Sequence, residues 1–164
     1  MAAIVETEIK FPEIYENSDY FDWWSFELSD WQKWSLKYLL DGKNVIVKAP
    51  TGSGKTLPAD FSIKYYTKHK KKVIYCSPIK ALTNEKYYTF KEKYPHISFG
   101  IITGDNTDNP EADVLCMTTT LMGKPALSLI LSWNIAFCIE INVFTTLPLF
   151  LEAVFVWRPF FKQK

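Results

Sequence analysis

The sequence contains very little arginine, histidine and cysteine, and the few cysteines and histidines exclude a zinc-binding domain. Arg158 is the only arginine, and there are two histidines and three cysteines. Cys76, Cys116 and Cys138 are far apart, with no CxxC or Cys/His spacing of a zinc site. We therefore expect reduced thiols, buried as small apolar side chains. The first ten residues also lack an apolar run of signal-peptide length, so we expect a cytoplasmic protein, with a nuclear location as the alternative.

Charge is present, but it is distributed unevenly over the 164 residues. Residues 1–41 carry nine acidic residues against three lysines, and residues 42–122 carry twelve lysines against seven acidic residues. Residues 123–164 contain only six charged residues and are otherwise almost continuously apolar. The net charge of +1 is therefore an average over unlike segments, and it excludes only a uniformly basic nucleic-acid binder.

Apolar strands alternate with helix signals through the middle of the chain. Residues 29–32 have the S-x-x-Q form of a capping box, which predicts a helix that ends at Asp41-Gly42. Buried strands are predicted over residues 45–47, 73–76, 98–102 and 114–117, helices over residues 57–69 and 80–93, and a polar loop over residues 103–109. This alternation indicates βαβ crossovers and an α/β fold with a mainly parallel sheet.

Aromatic side chains are unusually dense before and at the start of the first helix. The dense segment contains Phe11, Tyr15, Tyr20, Phe21, Trp23, Trp24 and Phe26. Such density is more typical of a core or a docking surface than of base stacking, so we expect these side chains to pack on the domain.

The first strand leads directly into the glycine-rich turn APTGSGKT, in which Ala49 stands where the general pattern has glycine. A strand, a turn and a helix in this order direct several backbone N–H groups into one concavity that holds phosphate. Gly52 and Gly54 supply backbone freedom, and Lys55 can reach phosphate oxygens. We predict phosphate binding by Ala49, Pro50, Thr51, Gly52, Ser53, Gly54, Lys55 and Thr56.

This turn resembles motif I of superfamily 2 helicases, and three further regions extend the resemblance. Residues 77–82, SPIKAL, resemble motif Ia, and residues 26–32 resemble the upstream region in which a glutamine reads adenine. Thr103-Gly104-Asp105, Asn109-Pro110 and Met117-Thr118-Thr119 resemble downstream motifs of superkiller/antiviral-type DExH RNA helicases. The resemblance covers roughly residues 22–121 and implies a RecA-like P-loop sheet, the incomplete first domain of an ATP-dependent RNA helicase.

The resemblance also implies roles for the matching residues. Gln32 would read adenine, although the capping box offers the same side chain a purely structural role. Lys55 and Thr56 would be catalytic, with Thr56 holding the Mg²⁺ that accompanies ATP. An RNA strand, or a DNA strand, would be bound by Pro78, Lys80, Ala81, Thr103, Gly104 and Thr119. The nine lysines of residues 64–93, against two glutamates, are expected to form either a phosphate-binding face or a solvated one.

The acidic motif that this family uses for hydrolysis is missing. No Asp-Glu pair follows Thr56, and the nearest substitute is the apolar run over residues 135–140, which ends at Glu140. We therefore expect weak or absent ATP turnover by this chain alone. The alternatives are a non-catalytic nucleotide-binding fragment, a membrane-tethered module, and, less readily, another P-loop kinase or NTPase.

The apolar tail, residues 122–164, does not match the family motifs. We interpret it as translated out of frame or from unspliced sequence, because composition changes where the motifs end. A transmembrane helix is the alternative, since residues 126–148 are long enough, although Glu140 and several polar side chains oppose insertion. The sequence thus predicts an acidic extension over residues 1–21, a helicase segment over residues 22–121 and this tail.

Overall fold

Helices and strands alternate along the chain in the computed structural model, which describes residues 10–12, 19–50, 52–119, 135–143 and 151–157. The helices are α1 (Asp30–Leu40), α2 (Leu57–Lys68) and α3 (Lys80–Lys93). The strands are β1 (Val45–Pro50), β2 (Lys72–Ser77), β3 (Phe99–Ile102), β4 (Thr107–Asp108), β5 (Val114–Thr118), β6 (Ile135–Val143) and β7 (Leu151–Trp157). The predicted α/β class is confirmed.

Helix α1 begins and ends where the sequence predicts. The Ser29 backbone N–H donates to Gln32 Oε1 at 3.0 Å, so the capping box is formed. At the other end Gly42 has a φ of 71°, and its N–H donates to the Leu39 carbonyl at 3.0 Å. A glycine in this left-handed conformation satisfies a terminal carbonyl and stops the helix.

One sheet contains all the described strands, in the order β1-β7-β6-β2-β5-β3-β4. Strand β2 pairs in parallel with β5 and β6, and β3 pairs in parallel with β5. Strand β7 is antiparallel to both β6 and β1, so β1 runs in the same direction as β6. The carboxyl ends of β1, β2, β3, β5 and β6 therefore share one edge, the carboxyl edge, and the opposite edge is the amino edge.

The core lies between the helices and one face of this sheet. Helix α2 contacts β2, β6 and β7, and α3 contacts β2, β3 and β5. Leu36, Phe61 and Tyr75 have at most 1% of their surface exposed, and burial of such side chains contributes about 1.5–3 kcal/mol each. Cys76 and Cys116 are buried free thiols, as predicted, and burial raises the pKa of Cys116 to about 12.

Most of the aromatic residues before α1 pack on this core, as the sequence predicts, but Phe26 is 54% exposed, which the prediction got wrong, and Tyr15 lies outside the described residues. The Phe11 ring meets the Phe21 and Trp34 rings edge to face, at centroid distances of 5.5 and 5.0 Å. Trp23 lies 5.5 Å from Phe61 of α2. The segment thus extends the apolar cluster.

The prediction of a polar loop over residues 103–109 is wrong. Strand β4 turns back and pairs antiparallel with β3, with Ile101 opposite Asp108 and Ile102 opposite Thr107. Both β4 residues are exposed, and a two-residue strand is too short to show an alternating apolar pattern.

Strands β6 and β7 come from the segment predicted to be an apolar tail. They lie in the sheet between β2 and β1. In the described ranges, no helix has the length and apolar character needed to span a bilayer.

Candidate nucleotide and nucleic-acid site

The phosphate loop connects β1 to α2 at the carboxyl edge. Ala49 and Pro50 are the last residues of β1, and Thr51 lies outside the described residues. Gly52 and Gly54 have φ angles of 81° and 83°, in the left-handed region that favours glycine. The Leu57 N–H donates to the Gly54 carbonyl at 3.0 Å, which joins the loop to the first turn of α2.

Three side chains of the loop fit the phosphates of a nucleotide. Lys55 is only 5% exposed, and an ammonium group at that depth suits a phosphate partner. Ser53 Oγ is buried and has no hydrogen-bond partner within the described ranges. The Thr56 side chain precedes α2 without capping it, so its hydroxyl is not committed to the helix end. The site thus has the cation, the hydroxyls and the helix start that phosphate and Mg²⁺ require.

Gln32 lies against this loop although it is distant in sequence. A Cβ on Gly54 would lie 2.7 Å from Gln32 Nε2, so the amide would have to move if residue 54 carried a side chain. Gln32 Oε1 already accepts the Ser29 N–H, but a carbonyl oxygen has two lone pairs. The capping box therefore leaves the Nε2 donor and part of the acceptor capacity for a ligand beside Gly54.

A row of hydroxyl side chains runs across the carboxyl edge. Ser77 of β2 is level with Thr118 of β5, and Thr103 follows Ile102, which is level with Met117. Ser77 Oγ and Thr103 Oγ1 are buried without a hydrogen-bond partner in the part of the chain that the structure describes. The sequence reasoning assigned no role to Ser77 and Thr118. Their signal is a hydroxyl placed directly after a buried strand.

The residues predicted to bind nucleic acid all lie at or just beyond this edge. Pro78 follows β2, Thr103 and Gly104 follow β3, and Thr119 follows β5. Lys80 and Ala81 are exposed in the first turn of α3. Gly104 is exposed and Pro78 and Thr119 are half-buried, whereas Thr103 is only 4% exposed, so its hydroxyl faces the interior.

The lysines of residues 64–93 do not all lie at one edge of the sheet, and their expected contact with phosphate stays a prediction. Lys64 and Lys68 lie in the second half of α2, near the amino edge, and Lys72 begins β2 there. Lys80 lies beyond the other end of β2, at the carboxyl edge. Strand β2 runs from Lys72 towards Lys80, and its six residues span about 17 Å along the strand.

Glu140 is brought by its strand to the same edge as the loop. Ile139 of β6 is level with Cys76 of β2, which places the Glu140 backbone level with Ser77. On its other side Glu140 is opposite Val154 of β7.

A glycine-bent loop between the first strand and the following helix, at the carboxyl edge of a mainly parallel sheet, defines a P-loop nucleotide-binding domain of RecA-like type. Sequence comparison places the chain more narrowly. The sequence model of the DEAD/DEAH box helicase family matches residues 29–140. The chain therefore belongs to the DEAD/DEAH box helicase family, and the match reaches past residue 121 as far as Glu140.

The curated relatives include an antiviral helicase, a superkiller complex protein and an mRNA transport homolog. The chain is 43% identical over 99 residues to the antiviral helicase SKI2 of Saccharomyces cerevisiae, an alignment of 60% of this chain and 8% of that protein. It is 39% identical over 99 residues to the human superkiller complex protein 2, again 60% of this chain and 8% of the relative. It is also 38% identical over 115 residues to mRNA transport homolog 4 of Caenorhabditis elegans, 69% of this chain and 11% of that protein. The chain thus spans only about a tenth of the length of these curated relatives.

Proposed function

We propose that this chain is the ATP-binding portion of an ATP-dependent RNA helicase. In the intact family such a domain couples ATP binding and hydrolysis to the remodelling of RNA. The observation that carries the proposal is the phosphate loop, with two left-handed glycines, a buried lysine and a Ser53 hydroxyl that has no hydrogen-bond partner among the described residues. The family match and the superkiller-type relatives support the same conclusion.

Each residue of the loop has a separate task in this proposal. Backbone N–H groups from residue 52 to the start of α2 would hold phosphate oxygens, and Lys55 would neutralise their charge. Thr56 would hold Mg²⁺, which supplies charge stabilisation when phosphate is transferred. Gln32 would contact adenine through the amide that lies beside Gly54.

A titration with Mg²⁺ and a fluorescent ATP analogue tests this assignment. The variant Lys55→Ala removes a charge-assisted contact worth about 1.5–3 kcal/mol, which is a loss of about 10- to 150-fold in affinity. Lys72→Ala is the matched control, because it removes a lysine at the amino edge, and we expect unchanged affinity. Equal affinities in wild type and Lys55→Ala would refute the phosphate assignment.

We propose further that the carboxyl edge between β2 and β3 is the path of a nucleic-acid strand. Lys80 and Ala81 begin α3 there, and Gly104 and Thr119 follow β3 and β5. Exposed backbone at these strand ends and the Lys80 ammonium are suited to phosphate and sugar groups, which carry most of the affinity for a strand. Weaker binding of single-stranded RNA by Lys80→Ala than by Lys72→Ala would support this path.

Hydrolysis by the chain alone is proposed to be weak. The sequence has no Asp-Glu pair after Thr56, and Glu140 is the one carboxylate that β6 carries at the carboxyl edge. A phosphate-release assay on wild type and Glu140→Gln tests this. Robust turnover that Glu140→Gln abolishes would contradict the proposal and make Glu140 a catalytic residue.

A further inference from the structure

An exposed ion pair joins the two segments that form the proposed nucleic-acid path. Lys80 Nζ, in the first turn of α3, pairs with Asp105 Oδ2, in the turn after β3. The two side chains are 47% and 70% exposed, so the pair stands in solvent. The Asp105 carboxylate is therefore already paired with the Lys80 ammonium that is proposed to bind phosphate.

The turn that carries Asp105 is a tight hairpin. Ile102 of β3 is opposite Thr107 of β4, and the Thr103 N–H donates to the Asn106 carbonyl at 2.8 Å. This closure leaves Asp105 at the exposed end of the hairpin, where its carboxylate reaches the start of α3.

The stem of the hairpin is fixed by contacts other than the ion pair. Tyr87 Oη of α3 donates to Asp108 Oδ2 at 2.9 Å, and Lys91 Nζ donates to the same Tyr87 oxygen at 3.0 Å. The returning chain also crosses closely over β3, because a Cβ on Gly100 would collide with the Asn109 carbonyl. Asp105 is therefore held near Lys80 by the backbone, whether or not the ion pair is formed.

A nucleic-acid strand would compete directly with this pair. An exposed ion pair contributes little stability, whereas a phosphate that meets a lysine releases counterions from the strand and gains affinity. The Asp105 carboxylate both engages the lysine and repels the phosphate, and salt screens the second effect.

We infer that Asp105 is an internal competitor for nucleic-acid phosphate at Lys80, and that it limits the affinity of this edge for a strand. The inference rests on the proposed nucleic-acid path. It assigns to Asp105 a role opposite to that of the residues around it, because its removal strengthens binding.

Binding of a fluorescent single-stranded RNA oligonucleotide to Asp105→Asn, followed by anisotropy, tests the inference. We expect binding about 2- to 10-fold tighter than wild type in low salt, with a gain that shrinks as salt rises. Glu111→Gln is the matched control, since Glu111 pairs with Lys72 at 3.1 Å at the amino edge and its loss changes the net charge equally. A gain confined to Asp105→Asn, and absent when Lys80→Ala is added, supports the competitor.

Three other results overturn it. Equal gains in RNA affinity for Asp105→Asn and Glu111→Gln would mean that the gain comes only from the change in net charge. Weaker binding by Asp105→Asn would mean that the carboxylate positions Lys80 for the strand. The nucleic-acid path itself, and the competitor with it, would be refuted if no RNA binding were seen while ATP binding stayed intact. This result would have to hold for wild type, for both single variants and for Asp105→Asn combined with Lys80→Ala.

Discussion

Polar side chains at the two edges of the sheet differ in whether they have partners within the protein. At the amino edge the lysines have local partners: Lys64 Nζ lies 4.2 Å from the centre of the Trp23 ring, and Lys72 pairs with Glu111 at 3.1 Å. At the carboxyl edge the Ser53, Ser77 and Thr103 hydroxyls are buried without partners among the described residues. Buried polar groups are normally hydrogen-bonded, so unused capacity on one edge indicates where a ligand binds.

The direction of the chain explains this difference. In a parallel sheet with helical crossovers, each helix begins at the carboxyl edge, with N–H groups that have no partner within the helix. Helices α2 and α3 both begin there, and the glycine-bent loop and Lys80 precede or start them. The amino edge receives helix ends, which lysines suit. Substitutions at the two edges are therefore expected to differ in their effects on ligand binding and stability.

The largest effect is expected at Gly100, beneath the hairpin of the carboxyl edge. Gly100→Ala places a methyl group against the Asn109 carbonyl, so β4 must shift, and we expect a loss of about 3 kcal/mol in the free energy of unfolding. Urea unfolding measures this loss. Gly104→Ala is the control, because a Cβ there meets nothing within 4 Å. Equal losses in both variants would mean that the close crossing is unimportant.

A smaller effect is expected at Gly54 in the phosphate loop. Gly54→Ala forces a left-handed alanine, at about 1–2 kcal/mol, and also pushes on Gln32 Nε2. Gly52→Ala has the same backbone strain, with open space for the methyl group. We expect calorimetry to show weaker ATP binding by Gly54→Ala than by Gly52→Ala. The reverse order would contradict the placement of Gln32.

Substitutions of Gln32 can distinguish its helix-capping role from its proposed contact with adenine. Gln32→Glu keeps an oxygen for the Ser29 N–H, whereas it removes the Nε2 donor beside Gly54. We expect an unchanged melting temperature and ATP affinity lower by about 1 kcal/mol, the value of one hydrogen bond. We expect Gln32→Ala to lower both the melting temperature and the ATP affinity. If Gln32→Glu binds ATP as wild type does, the Nε2 donor makes no contribution to ATP binding.

The smallest effect is expected at the amino edge. Lys64→Ala removes the contact with the Trp23 ring, worth about 0.5–1 kcal/mol of stability. We expect ATP and RNA affinities to remain those of wild type. A loss of RNA affinity equal to that of Lys80→Ala would place the strand at both edges and end the contrast between them.

The sequence predicted the elements that carry strong local signals. The capping box at Ser29 defined α1, and Pro78 marked the end of β2. It missed β4 because its pairing depends on Gly100 and Asn109, which meet only after the chain turns back. It also treated residues 64–93 as one charged run, although the strand predicted over residues 73–76 lies within that run and separates its lysines.

The site was predictable where residues adjacent in sequence act together. The loop from Ala49 to Thr56 is such a case, although Thr51 lies outside the described residues. The contact of Gln32 with Gly54 and the row from Ser77 to Thr103 depend on packing and strand register. The three segment boundaries and the out-of-frame interpretation of the tail stay predictions, which the nucleotide sequence after the Thr119 codon tests.

The contrast between the two edges is tested most directly by amide chemical shifts. Titration of the isotopically labelled protein with Mg²⁺ and ATP reports on both edges in one experiment. We expect large shifts for residues 52–57 and little change for residues 64–72. Shifts concentrated in residues 64–72, with the loop unchanged, would contradict nucleotide binding at the carboxyl edge.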